Sequence, residues 1–342
     1  MFKPAFIVLG VSVALFLGGF MLFTAGWDRP PIEDEQSGYR GTGMVQIANP
    51  REKAVLLASQ TVPDPIAPAA AAGPRARDLY QNVQVLGDLS VGQFVRVMQA
   101  MTNWVAPEQG CTYCHVGNLA ADDKYQKVVS RKMLQMTQHI NANWNTHVGE
   151  TGVTCYTCHR GQNIPSNYWY TDPAVAEAAP MVGAKAGQNQ PAEAAVLASL
   201  PADPFTPYLL EAANIRIAAQ NALPTGRQDG ATIQSTEGTY SLMMHMSDAL
   251  GVNCTFCHNS RAFSDWEQSS PQRVTAWHGI RMVRDVNVDY IHPLNDVFPE
   301  HRKGPLGDAF KANCSTCHQG VNKPLNGAQM AKDYPSLLSV SE

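Results

Sequence analysis

Four stretches of this sequence share the pattern Cys-x-x-Cys-His. They are Cys111-Thr-Tyr-Cys114-His115, Cys155-Tyr-Thr-Cys158-His159, Cys254-Thr-Phe-Cys257-His258 and Cys314-Ser-Thr-Cys317-His318. Two thiols at this spacing reach the two vinyl groups of one haem and form thioethers. The adjacent histidine then lies under the iron as an axial ligand. The pattern uses all eight cysteines, which leaves none for a disulfide. Structural zinc would pair its Cys-x-x-Cys units into four-ligand sites, and a redox dithiol needs no adjacent histidine. The expected chemistry is one-electron transfer through four covalently bound haem c groups.

An iron held by His115, His159, His258 or His318 needs a second axial ligand, so the segments before the motifs must position one. Phe94, Val97, Met98, Met101 and Trp104 recur at helical spacing and predict a helix before the first motif, with Ser90 as its cap. Residues 130–144, 240–250 and 271–290 read as helices before the other three. These helices repeat. Met98-Gln-Ala-Met101, Met133-Leu-Gln-Met136 and Met243-Met-His-Met246 precede the first three motifs, and Gly279-Ile-Arg-Met282 precedes the fourth. Residues 133–144 align with 279–290, and Arg160-Gly-Gln-Asn-Ile-Pro165 aligns with Gln319-Gly-Val-Asn-Lys-Pro324.

A methionine on an apolar helix face is more often packing than a ligand. The second methionine is present in all four helices, as packing requires. The first is present in three, so Met98, Met133 and Met243 are the candidate ligands, each for the haem attached just downstream. The fourth iron needs another ligand. His147 lies eight residues before Cys155 and has no counterpart in the other half. It is the candidate to reach across, and glycine at 279 lets a helix backbone approach a haem face. His278 and Met282 are its rivals. His139, His245, His292 and His301 read as ordinary surface or core histidines. Three His/Met haems of higher potential and one His/His haem of lower potential follow.

The chain has 342 residues, with 44% hydrophobic and only 16% charged, and it carries 23 prolines and 26 glycines. That composition suits a loop-rich protein whose core is partly supplied by cofactors. The net charge of −4 argues against nucleic-acid binding. Haem propionates add roughly eight more carboxylates, which favours a basic soluble carrier as partner.

Residues 4–27 carry no charged side chain. At about 1.5 Å per residue this stretch spans the hydrocarbon core of a bilayer. Lys3 precedes it, and Asp28, Glu33, Asp34 and Glu35 follow. The N-terminus is therefore expected in the cytoplasm and the rest in the periplasm. A cleaved signal peptide would need a small-x-small site, to which only Phe23-Thr24-Ala25 comes near. The expected fold is mainly α with extensive irregular loops: a multihaem cytochrome c with an internal two-fold repeat, plus one N-terminal transmembrane helix. Its parts are an anchor (1–27), an extended segment on the periplasmic surface (28–77) and a haem domain (78–342). The repeat halves run over 78–165 and 233–325. The proline-rich connection 166–232 carries one short helix near 208–222, and the glycine-rich run 38–44 reads as a loop.

Longer stretches around these sites carry a resemblance. They include Gly38-Tyr-Arg-Gly, Tyr80-Gln-Asn-Val-Gln-Val-Leu-Gly87, Gly110-Cys-Thr-Tyr-Cys-His115 and Thr151-Gly-Val-Thr-Cys-Tyr-Thr-Cys-His-Arg-Gly161. Asn253-Cys-Thr-Phe-Cys-His-Asn259, residues 277–287 and Cys317-His-Gln-Gly-Val-Asn-Lys-Pro-Leu325 complete the set. In them the chain resembles the tetrahaem cytochrome c subunit of purple-bacterial photosynthetic reaction centres, over nearly everything after the anchor. The resemblance implies methionine ligation at Met98, Met133 and Met243 and histidine ligation at His147, in agreement with the repeat. It implies a subunit that caps the periplasmic face of the L and M subunits, joined to H through the complex, with the light-harvesting 1 antenna nearby.

Such a subunit accepts electrons from a soluble cytochrome c or a high-potential iron–sulfur protein and re-reduces the photo-oxidised bacteriochlorophyll special pair. The third haem would be nearest that pair, followed outward by the fourth, second and first. The loop 38–44 would pack against the core subunits. The best-known members carry a lipid-modified cysteine, whereas no cysteine precedes Cys111 here. A retained helix is expected in its place, in the inner photosynthetic membrane. The connection 166–232 shows little resemblance.

Two other functions fit less well. A membrane-anchored tetrahaem quinol-oxidising cytochrome needs mostly His/His ligation, and a multihaem reductase needs an iron with an open site. Here Met-x-x-Met helices dominate, and every iron has a sixth ligand on offer. An electron-transfer protein rather than an enzyme is expected.

Overall fold

The computed structural model describes residues 4–24, 31–36, 45–171, 191–217 and 232–339. The fold is mainly helical, in accord with expectation. Its helices, in chain order, are α1 (Pro4–Thr24), α2 (Pro50–Ser59), α3 (Ala76–Leu79), α4 (Val91–Val105), α5 (Tyr125–Asn143), α6 (Asn145–Val148), α7 (Cys155–His159), α8 (Phe205–Leu209), α9 (Ile233–Leu250), α10 (Pro271–Asp285) and α11 (Cys314–His318). Strands β1 (Glu33–Glu35) and β2 (Gln46–Ala48) pair antiparallel, with Asp34 opposite Ile47. The glycine-rich 38–44 lies outside the described residues, as do 172–190 and 218–231 of the long connection.

Local signals explain the ends of the helices. Ser90 Oγ accepts the backbone N–H of Gln93 at 3.2 Å, and Gln93 Oε1 accepts that of Ser90 at 3.3 Å, so α4 opens with two of its orphan donors satisfied. Thr232 caps α9 in the same way through Ser235. Gly251 ends α9 in the left-handed region at φ 63, and a Cβ there would fall 2.1 Å from the Gly320 carbonyl oxygen. Glycine lets the end of α9 press against the chain that follows α11.

Three expectations need correction. The segment 28–77 contains the hairpin strands and a ten-residue helix, α2. Asn49 caps that helix through the Arg51 N–H, with Pro50 at its first position, so this proline starts structure rather than breaking it. The short helix of the connection ends at Leu209 and does not run to 222. Arg284 donates to the Tyr208 carbonyl from Nε at 2.9 Å and Nη2 at 2.8 Å, taking the acceptor that a longer helix would use. The helix expected over 271–290 is α-helical only to Asp285 and continues as a π-turn, Val286–Ile291. The wider turn coincides with the fully buried Asn287 side chain, whose bonds are described below.

The core has two parts. One gathers Trp169, Phe205, Leu209, Leu242, Val283 and Phe298, and the other gathers Leu86, Val97, Trp104, Leu134, Tyr334 and Leu337. The described part of the connection therefore supplies core side chains through α8. Helix α4 packs on α7, α9 packs on α11, and α7 packs on α11.

Helix α1 has 21 residues and no charged side chain. Phe6, Leu15, Phe16, Met21 and Phe23 all stand exposed on it. Its side chains are described without interruption only over 8–24. Counted over the described residues alone, no helix is long and apolar enough to cross a membrane.

Candidate haem-binding sites

Each Cys-x-x-Cys-His motif forms a tight helical turn. The first and third are 3-10 turns, Gly110–Tyr113 and Cys254–Phe256, and the second and fourth are α7 and α11. Three of the four motif histidines are oriented by the chain just after them. Nδ1 of His159 donates to the Gln162 carbonyl at 2.9 Å, that of His258 to Phe263 at 2.9 Å and that of His318 to Val321 at 3.0 Å. A carbonyl only accepts, so Nδ1 carries the proton and Nε2 keeps its lone pair for a metal. At His115, Nδ1 is buried and without a hydrogen bond. The nearby Leu119 carbonyl, which acts on the His115 imidazole against the effect of burial, also accepts from Lys127 Nζ at 2.8 Å. Burial pushes all four imidazoles below their usual range; His318 falls to about 4, with His147 adding to the effect. The neutral form is the one that ligates.

Two asparagines set the entry to the second and fourth motifs. Asn141 Nδ2 donates to the Val153 carbonyl at 2.9 Å, and the Val153 N–H donates to Asn141 Oδ1 at 2.7 Å. Asn287 Nδ2 donates to the Ala312 carbonyl at 2.9 Å, and the Ala312 N–H donates to Asn287 Oδ1 at 2.9 Å. Val153 and Ala312 each precede the first motif cysteine by two residues. Each helix thus fixes the strand that delivers the next motif. Beyond the motifs, Arg160 and Gln319 both turn the chain in the left-handed region at φ 50. Sequence reasoning aligned Asn141 with Asn287 but gave them no role, since an asparagine at a helix end signals nothing by type alone.

His147, on α6, meets the fourth motif. Its ring stands 6.0 Å from the His318 ring between centroids, at 68° between planes. Two imidazoles that grip one metal from opposite faces, with metal–nitrogen bonds of about 2 Å, stand roughly 6 Å apart between ring centres. His147 Nδ1 donates to the Thr275 carbonyl on α10 at 2.9 Å, which leaves Nε2 for the metal. A Cβ on Gly279 would fall 2.5 Å from His147 Cε1. The glycine that replaces the repeat methionine therefore makes room for this imidazole. The donor set at this site fits an iron held by two histidines.

An apolar cavity of about 1230 Å³ joins three of the four sites. It is lined by Met98 with Cys111, Cys114 and His115, by Met133 with Cys155, Cys158 and His159, and by His147 with Cys314, Cys317 and His318. Met101, Met136, Met246 and Met282 line it too, so position alone does not separate the two methionines of each pair. Met243, Cys254, Cys257 and His258 are not among the lining residues; Phe256 and Met246 border it from their side. The other histidines stand apart. Both ring nitrogens of His139 are engaged, by Asp285 at 2.6 Å and Asn143 at 2.8 Å. His278 packs edge-on against Trp277. His245 is buried against Phe205, His292 contacts Asn295, and His301 is exposed.

One finding departs from the expectation that no disulfide forms. Cys158 and Cys317 are joined, with Cα atoms 4.5 Å apart. The packing of α7 on α11 turns the second cysteine of each motif toward the other. A sulfur bonded to a sulfur makes no thioether, so the two bonding states exclude one another. The other six cysteines take no part in a disulfide. Burial raises Cys114, Cys155 and Cys257 to about 11 and Cys314 to about 12.

The family model described as photosynthetic reaction centre cytochrome C subunit matches residues 28–338. The photosynthetic reaction center cytochrome c subunit of Rubrivivax gelatinosus is 55% identical over 313 residues, covering 92% of this chain and 85% of that protein. The subunit of the same name from Thermochromatium tepidum is 53% identical, over 91% of this chain and 76% of its own length. That of Roseobacter denitrificans is 42% identical, over 98% and 93%. The resemblance read from the motifs, the helical fold that brings His147 to His318, and these relatives agree: the chain belongs to the family of photosynthetic reaction centre cytochrome c subunits.

Proposed function

We propose that this subunit accepts electrons from a soluble periplasmic carrier and re-reduces the photo-oxidised bacteriochlorophyll special pair through four c-type haems. Membership of the family makes it an electron-transfer component of a photosynthetic reaction centre, not an enzyme, and implies covalently bound haem c. Haem c supplies a one-electron iron couple at each site.

The chain's residues set the differences between sites. Met98 and His115, Met133 and His159, and Met243 and His258 would hold the iron at the first three sites. The thioether softness of methionine favours ferrous iron and raises the potential. His147 and His318 are the pair of the fourth, which lies lower. The eight motif cysteines supply thioethers, Cys158 and Cys317 included, and their adjacency supports neighbouring second and fourth sites. The third site faces the special pair, with the fourth, second and first following outward. The single observation that carries the ligand assignment is the His147 ring against Gly279 and opposite His318.

Helix α1 is the membrane anchor of this reading, single-pass with its N-terminus cytoplasmic. Its length, lack of charge and exposed apolar side chains support that role. The haem domain, an internal two-fold repeat, sits on the periplasmic side against L and M, with H joined through the complex and the light-harvesting 1 antenna alongside. A soluble cytochrome c or a high-potential iron–sulfur protein is the donor. The recurring order of helix, motif turn, helix and motif helix, together with the two asparagine clamps, supports the repeat.

The purified mature protein tests this by haem content and thiol titration after denaturation. Four haems per chain with no free thiol and no disulfide is the expected result. Two or three haems, or a persistent Cys158–Cys317 disulfide, would overturn it.

A further inference from the structure

Five cations line the large cavity: Lys127, Arg131, Arg302, Lys311 and Lys323. Lys127 and Arg131 share Asp122, at 3.2 and 2.7 Å. Lys311 pairs with Asp308 and donates to the Ala309 carbonyl. Lys323 is exposed to solvent. Arg302 differs from all four. It is half-buried, its Nε is buried without a hydrogen-bond partner, and its guanidinium has no ion pair among the described residues. A buried guanidinium N–H left without an acceptor is destabilising, and more so because the group is charged, so a group that completes it is expected at this wall. None is in place among the described residues. Asp308 keeps a buried, unpartnered Oδ1 within the same cluster, but no ion pair joins it to Arg302. The Tyr113 and Tyr170 phenols feel the Arg302 charge, and the Tyr170 hydroxyl donates to the Arg302 carbonyl at 3.3 Å.

We propose that Arg302 is a carboxylate-binding residue of the cavity and holds a haem propionate. The inference rests on the four-haem reading and extends it to the acidic edge of one cofactor. A planar guanidinium fork matches a carboxylate in two parallel hydrogen bonds, which no other cation lining this cavity is free to provide from a buried position. The haem concerned is one whose acidic edge reaches the wall formed by Tyr113, Tyr168 and Phe298. A fixed cation there offsets the propionate charge, disfavours ferric iron and raises that haem's potential. Without Arg302 the propionate takes up a proton more readily, so the same potential becomes pH-dependent near neutrality.

The test is a potentiometric titration of the purified complex carrying Arg302→Gln, repeated at several pH values, with Arg302→Lys and Lys303→Gln, whose ammonium pairs with Glu300, as companions. One of the four midpoints falls in Arg302→Gln and gains a pH dependence, Arg302→Lys restores most of it, and Lys303→Gln leaves all four in place. Four unmoved midpoints, or an equal pH-independent fall of all four, overturn the proposal. If Arg302→Gln loses haem, Arg302→Lys alone decides, through a pH profile displaced for one haem or for none. A wild-type protein with fewer than four haems would instead reject the reading beneath it.

Discussion

The His147 imidazole occupies the space that a side chain at Gly279 would need: its Cε1 lies 2.5 Å from where a Cβ would stand. One residue leaves room on α10, and another, from the opposite half of the chain, fills it and faces His318. Gly279→Ala should push His147 off its Thr275 anchor. The absorbance and electron paramagnetic resonance spectra should then show one of the four haems turning high-spin, with haem content unchanged. Four low-spin haems in that variant would mean that His147 is not a ligand.

Met98→His, Met133→His and Met243→His should each lower one haem potential, by at least roughly 60 mV, a tenfold change in a one-electron equilibrium. Met101→Leu should leave all four within a few tens of mV, since a second-position methionine is read as packing. A redox titration that responds to Met101→Leu and not to Met98→His would reverse the assignment within the first pair.

Much of this site was legible in the sequence because covalent chemistry fixes residue types. Cys-x-x-Cys-His specifies the cofactor, and the one interrupted Met-x-x-Met pair pointed to Gly279 and His147. Helix α4 was readable down to its Ser90 cap. What could not be read depends on backbone atoms or on distant packing. The carbonyls of Gln162, Phe263, Val321 and Thr275 orient the imidazoles, and a carbonyl has no residue type. The early end of α8 is set by Arg284, 76 residues away from Tyr208. The contact between Cys158 and Cys317 arises from helix packing across 159 residues of sequence.

Asn141 and Asn287 should matter for stability and for haem loading together. Removing Asn141 leaves the N–H and carbonyl of Val153 unpaired, and removing Asn287 leaves the Ala312 N–H unpaired while Trp169 Nε1 still donates to the Ala312 carbonyl at 2.9 Å; each buried group left without a partner costs about 1–3 kcal/mol. Each asparagine also donates to a second carbonyl, Asn141 to Leu337 at 2.6 Å and Asn287 to Leu209 at 3.3 Å; Asn287→Ala should be the more severe, because Asn287 is fully buried whereas Asn141 is half-buried. Thermal unfolding and haem per chain check this; equal, small effects at both positions would contradict it.

Asp122 ties the loop after the first motif to α5, which carries Met133. The Arg131 guanidinium, bonded through Nη1 at 2.9 Å and Nη2 at 2.7 Å, holds its carboxyl well below the usual range, against a small opposing effect of burial. A depressed carboxyl contributes stability that is present above the unfolded value near 3.8 and is lost as pH falls through the folded value. Asp122→Asn should therefore remove part of the acid sensitivity below about pH 4 and lower stability at neutral pH. Acid titrations of wild type and variant that run parallel would exclude this role.

The central claim is electron donation to the special pair, and a single flash on native membranes tests it most directly. The account predicts that haem absorbance bleaches on the microsecond scale as the photo-oxidised special pair recovers, with one haem oxidised per flash. Recovery of the special pair with no haem oxidation would contradict it.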